Sequence, residues 1–152
     1  MKSLLFEQRS ASLTVAAVFC VCILLPHRAA ADGALAVGVP KDVAKQGFAY
    51  AYSTDKADSD AARAEALETC RKPGDNKSET ARGLCSVVGT FTKQCVAVAM
   101  DPANGTPGVG WAIAYSLKAA ESQAIARCQA TAGADRRGYC KVDHSRCEAS
   151  VK

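Results

Sequence analysis

The stretch GFAYAYS at residues 47–53 returns, lightly altered, as GVGWAIAYS at residues 108–116. Large and small side chains alternate in both copies. Phe48, Tyr50 and Tyr52 fall on one side of an extended chain and Ala49 and Ala51 on the other; Trp111, Ile113 and Tyr115 likewise oppose Ala112 and Ala114. A period of two is the signature of a strand. Each copy therefore reads as the opening strand of a repeated unit rather than as a motif that carries chemistry.

The echo runs on through the chain. AARAEALETC (61–70) aligns with AAESQAIARC (119–128), RGLCSV (82–87) with RGYCKV (137–142), and Cys95 with Cys147. Ala62, Ala66, Leu67 and Cys70 recur at helical spacing, as do Ala120, Ala124, Ile125 and Cys128. Asp58 or Ser59 can cap the first helix and Ser116 the second, and Pro73-Gly74 and Gly133 stop them. CSVVGTFTKQCVAVAM (85–100) reads as two strands with a turn near Gly89–Lys93, and CKVDHSRC (140–147) as a shorter counterpart. The expectation is an α+β fold of tandem duplicated β-α-β-β units. It has an antiparallel or mixed sheet with two helices on one face, and three disulfides.

The domain limits follow from this pattern. Residues 1–31 read as a signal peptide, with Lys2 and Arg9 ahead of the apolar run Leu13–Leu25 and small residues at Ala29 and Ala31, which places cleavage after Ala31. That run is short of the ~20 residues of a permanent span. Phe19 and Val21, just before Cys20 and Cys22, are too large for a lipid-attachment site. Residues 32–46 read as an N-terminal linker and 47–152 as a single disulfide-stapled domain. Within it, half one is 47–100, the hinge 101–110 and half two 111–152. The hinge is glycine-rich, but a strand rather than a helix follows it, so it reads as a turn and not a phosphate loop.

Six cysteines remain beyond the leader: Cys70, Cys85, Cys95, Cys128, Cys140 and Cys147. An even number in an exported chain reads as a disulfide framework, since export leads to an oxidising compartment. No pair has C-x-x-C spacing and His144 is the only histidine beyond the leader, so zinc-site spacing is missing. Six cysteines allow fifteen pairings, of which a twofold relation between halves leaves about seven; among these the expected one is Cys70–Cys85 and Cys128–Cys140 within halves, with Cys95–Cys147 joining them.

At this level of detail the chain resembles the secreted bacterial family known as domain of unknown function 4189. The resemblance runs from about Gly47 to Cys147 and rests on the aromatic-Ala-x-Ala-Tyr-Ser strand, the Ala-rich helix ending in Cys70, CSVV, CVAVA and the GVGWAIAYS restart. It implies an exported compartment and this architecture, and it brings no activity or site residue.

Charge and composition narrow the function. The chain carries 19 Lys+Arg against 15 Asp+Glu, a net charge of +4, which falls to about +2 once the leader is set aside. No basic cluster suits nucleic acid or an anionic membrane. A hydrolase needs a nucleophile, a base and a group to orient it. His144 sits between Asp143 and Ser145, but neighbours on a strand face opposite ways, so it reads as an exposed structural histidine. Asp55, Asp58 and Asp60 precede a helix, where capping is their ordinary role. Cys70 and Cys128 close helices, where the dipole opposes a reactive thiolate.

The aromatic strand faces admit two assignments. Aromatic stripes mostly pack inward, which makes them core. Alternatively the alanine faces take the helices, leaving Tyr50, Tyr52, Trp111 and Tyr115 as a candidate interaction surface. The functional expectation is a secreted or periplasmic, non-enzymatic interaction module for an unknown protein or envelope component, an inhibitor of a secreted hydrolase being one version. It has no catalytic, metal or cofactor-binding residues, no nucleic-acid partner and no permanent membrane span after leader cleavage. The alternative is a cell-wall-directed hydrolase using carboxylates such as Asp55, Asp58 and Glu65.

Overall fold

Alternating small and large residues give several strands two unlike faces, and the computed structural model, which describes residues 32–74 and 78–151, shows where each face goes. The elements in chain order are β1 (Asp32–Gly38), α1 (Val43–Gln46), β2 (Ala49–Lys56), α2 (Ser59–Arg71), α3 (Glu79–Gly83) and β3 (Ser86–Thr92). Then come β4 (Cys95–Met100), β5 (Val109–Ala114), α4 (Leu117–Thr131), a 3₁₀ turn (Arg137–Tyr139) and β6 (Lys141–Cys147). They form two three-stranded sheets, β2-β1-β3 and β5-β4-β6, with every pairing antiparallel. The fold is α+β. Among the described residues no helix is long and apolar enough to cross a membrane. Residues 1–31, read from the sequence as a signal peptide, lie outside the described residues.

Each sheet takes its own helix, on its alanine face. α2 lays Ala62, Ala66 and Cys70 on Ala34, Ala36, Ala49 and Ala51 of the first sheet. α4 lays Ala120, Ala124 and Cys128 on Cys95, Ala97, Ala99, Ala112 and Ala114 of the second. The large faces meet each other. Leu35, Val37, Phe48 and Phe91 pack with Val96, Val98 and Val109, and Tyr50, Tyr52, Trp111 and Ile113 are half-buried around them. The layers therefore run helix, sheet, sheet, helix, and the helices do not share one face as the sequence suggested. The reason is that sequence periodicity separates faces without saying how many sheets there are.

Strand pairing also moves the boundaries of the units. Residues 32–46, read as a linker, contain α1 and β1, and β1 is the central strand of the first sheet. β4 leaves β3 after a two-residue link, Lys93-Gln94, but pairs with β5 and β6. Each unit is thus β-β-α-β, and residues 101–108 close a hairpin inside the second sheet rather than linking two halves. The disulfides are Cys70–Cys85, Cys128–Cys140 and Cys95–Cys147. The first two staple a helix end to the chain that follows, as expected. The third lies across β4 and β6, where Cys95 faces Cys147, so it sits inside the second sheet and does not join the halves.

Side-chain caps begin the long helices. Asp58 accepts a hydrogen bond from the Ala61 amide at 2.8 Å, and Ser116 accepts one from the Ala119 amide at 3.3 Å. α4 approaches its sheet closely at Gly110 of β5, where an added Cβ would lie 2.3 Å from the Cys128 nitrogen and 2.4 Å from the Ala124 carbonyl oxygen. Backbone cannot yield as a flexible side chain does. Gly110→Ala is therefore expected to destabilise the fold by about 1–3 kcal/mol, seen as a lower denaturation midpoint with an unchanged slope.

Candidate functional site

The aromatic stretch that opens β2 meets β6 across the gap between the sheets. β2 and β6 are both edge strands. In β6 the pairing slips, with Val98 opposite His144 and Ala99 opposite Val142, so Asp143 is an extra residue in the ladder. A bulge of this kind re-aims side chains. It brings Asp143 and His144 to the same partner, the Tyr50 hydroxyl, and thereby overturns the expectation that strand alternation keeps them apart.

The geometry joins the three side chains. Tyr50 Oη donates to Asp143 Oδ2, and His144 Nδ1 lies 2.6 Å from the same hydroxyl and 3.3 Å from Asp143 Oδ2. A hydroxyl has one proton to give. With that proton directed to Asp143, the short contact requires His144 Nδ1–H to donate to Tyr50 Oη. Burial, reinforced by the bond to Asp143 and its charge, pushes the Tyr50 phenol far above its ordinary pKa and keeps it protonated. Rings extend this cluster across both sheets: Phe48 stacks with Tyr50 at 5.7 Å and with Trp111 at 5.9 Å, and Tyr50 meets His144 at 6.0 Å.

A groove of about 570 Å³ opens beside the cluster. Val43 and Ala44 of α1, Phe48, Tyr50 and Tyr52, the 101–108 loop, Asp143 and His144 line it. Its loop rim is anchored by Asp101, whose carboxylate accepts from Arg136 Nε at 2.5 Å and Nη2 at 2.8 Å and from the Ala103 amide at 3.0 Å. The Arg136 guanidinium in turn sits 4.4 Å above the Tyr139 ring. Its bidentate bond holds the Asp101 carboxyl below the ordinary carboxylate range, outweighing the opposite push of burial. Gly47, at φ 70°, makes the left-handed turn that carries the chain from α1 into β2.

The candidate surface read from sequence divides in this geometry. Tyr50 and Tyr52 line the groove. Trp111 is half-buried between the sheets, where it also borders a smaller cleft with Arg127 and Thr131. Tyr115, 81% exposed, lies beyond the end of β5 and borders neither. The acidic residues of the hydrolase alternative are also apart from the groove: Asp58 caps α2, Glu65 pairs with Lys56, and Asp55 accepts from the Ala149 amide at 2.7 Å. Asp143 and His144 are the groove residues that the sequence reading set aside, and only the bulge would have revealed them. Among the described residues no cluster of His, Cys, Asp or Glu has metal-holding geometry.

Two outcomes test this site. Tyr50→Phe strips Asp143 and His144 of their shared partner and should cost about 1–2 kcal/mol in denaturant unfolding. Asp101→Asn should lower the melting temperature at pH 7. A depressed carboxyl stabilises the fold above its unfolded pKa of about 3.9, and that contribution is lost as pH falls through the folded value. The gap between variant and wild type should therefore close in acid, and a gap that widened there would contradict the assignment.

Comparison with known proteins agrees with the resemblance seen in the sequence. The family model described as domain of unknown function (DUF4189) matches residues 33–147, a span that begins in β1 and ends at the last residue of β6. No curated protein and no solved structure gives a significant match. The chain belongs to the DUF4189 family.

Proposed function

We propose that this chain is an exported, non-enzymatic binding module whose binding element is the groove between α1, the 101–108 loop and the Tyr50–Asp143–His144 cluster. The observation that carries the reading is the groove itself. Apolar and aromatic walls at Val43, Phe48 and Tyr52 converge on a fixed polar end, and Arg136 anchors the rim through Asp101. Pockets that bind ligands share this build, mostly apolar with a few placed polar groups. Three disulfides suit a secreted or periplasmic protein, in accord with the leader pattern.

The lining favours a partner of particular character. Among the described residues it contains no lysine or arginine, while Asp143 offers a carboxylate beside the His144 ring. The partner, a protein segment or envelope component, presents an apolar group next to a hydrogen-bond donor or positive charge. An inhibitor that holds a segment of a secreted enzyme in this way is one form of the function. The hydrolase alternative is weaker because Asp55, Asp58 and Glu65 are already engaged in structural bonds away from the groove.

The test is NMR titration of the exported domain with short peptides that differ only in ending on a lysine, glutamine or glutamate side chain. Shifts should cluster at residues 43–52, 101–108 and 143–144, be largest for the lysine peptide, and vanish in Ala44→Trp, which fills the groove. Shifts centred on Tyr115, or a preference for the glutamate peptide, would overturn the reading.

A further inference from the structure

A second polar cluster, independent of the groove, lies where the two sheets are joined. Glu148 follows Cys147 back to the Lys93-Gln94 link. Its amide donates to the Gln94 carbonyl at 3.1 Å, and its Oε2 accepts from the Lys93 amide. Its side chain is buried, with the residue only 1% exposed, and Oε1 has no hydrogen-bond partner among the described residues. A buried carboxylate oxygen without a partner is costly, because water that would solvate it is excluded.

Two further carboxylates converge on the same corner. Asp55 accepts from the Ala149 amide at 2.7 Å. Asp32 accepts from Thr92 Oγ1 at 2.6 Å and stands opposite Thr92 in the β1–β3 ladder, one residue from the amide that Glu148 binds. Asp55 and Lys93 are the non-glycine residues with left-handed backbone in the described chain, at φ 60° and 55°, and both bond into Glu148–Ala149. Among the described residues no cation answers the three acids. Lys56, opposite Asp32 in the β1–β2 ladder, is paired with Glu65, and the Lys93 side chain lies in an exposed residue. Burial, with the charges of Asp32 and Asp55, accordingly pushes the Glu148 carboxyl above its ordinary range against the pull of the Lys93 and Gln94 amides.

We propose that this corner is a binding site for the chain's own new terminus: removal of the leader after Ala31 creates an α-ammonium on Asp32, and that ammonium is the ligand of the Glu148 carboxylate. Hydrolysis of the Ala31–Asp32 amide by a leader peptidase consumes one water. It leaves a carboxylate on Ala31 of the released leader and an amine on Asp32, protonated at neutral pH. Before cleavage the first residue of β1 carries only a neutral amide nitrogen. Afterwards the same position carries the positive charge that the three acids lack among the described residues, so maturation tightens the junction between the sheets.

The experiment exports the full chain with its native leader junction and, in parallel, with Gly-Ser inserted after Ala31, each with Glu148 or with Glu148→Gln. Mass spectrometry reads the mature terminus and thermal melts read stability at pH 6.5 and 9.5. The native junction should yield a chain that begins at Asp32 and melts on the order of 5 °C above the Gly-Ser form at pH 6.5. The difference should shrink at pH 9.5, where an α-amine is largely neutral, and disappear in Glu148→Gln. A terminus other than Asp32, equal melting temperatures, or a difference that persists in Glu148→Gln would overturn the proposal. If Glu148→Gln fails to fold, NMR titration of the Asp32 amine decides: a pKa above the usual ~7.7–8.0 is expected, and an ordinary value contradicts it.

Discussion

The close approach of helix to sheet on alanine faces is the constraint from which the rest of this structure follows. α2 and α4 present alanine and cysteine to strands that present alanine in return. Helices this near leave no room for large side chains on those faces, as the backbone contacts at Gly110 show. The large residues have only the opposite faces to occupy, and two such faces bury each other when the sheets stack. Apolar burial of those side chains then drives the assembly of the two units. The Cys70–Cys85 and Cys128–Cys140 disulfides hold each helix end on its sheet, where the small contacts alone contribute little area.

Stacking by the large faces puts the distinctive side chains at the junction rather than on either unit. Tyr50 comes from an edge strand of one sheet and Asp143 and His144 from an edge strand of the other. Neither unit holds the cluster alone. The same is true of the Glu148 corner, which receives Asp32 and Asp55 from the first unit and Glu148 from the end of the second. One junction thus carries a groove bordered by a tyrosine–aspartate–histidine network and, elsewhere along it, a buried acid at the chain crossing. Both are polar features within an otherwise apolar interface, where hydrogen bonds are strong and missing partners are expensive.

Much of the fold was legible because it is written in short periods. The two-residue alternation of Phe48–Ser53 and Trp111–Ser116, and the four-residue recurrence of Ala62, Ala66 and Cys70, map directly onto strand and helix faces. The disulfide pairing was legible from the repeat. β1 was missed although Ala34, Leu35, Ala36 and Val37 alternate small and large, because the stretch is short, lacks aromatics and has no counterpart in the repeat as it was aligned. The unit boundary was misplaced because β3 and β4 are separated by two residues, which reads as a hairpin, although the strands enter different sheets. The polar end of the groove was illegible for a different reason. Asp143 and His144 share a partner only because β6 bulges, and no residue type in VDHSRC announces a bulge. The alanine faces take the helices, Phe48 is buried, and Tyr50, Tyr52 and Trp111 are half-buried around the core between the sheets.

The aromatic faces of the two sheets pack against each other while the helices cover the alanine faces. Nuclear Overhauser contacts from the Phe48 ring measure this most directly. The stacked arrangement predicts contacts from Phe48 to the Trp111 indole and to Tyr50, and contacts from the Ala66 methyl to Ala34 and Ala51. Contacts from the Phe48 or Trp111 rings to the helix residues Ala62, Ala66, Ala120 or Ala124, with none between the two rings, would contradict it.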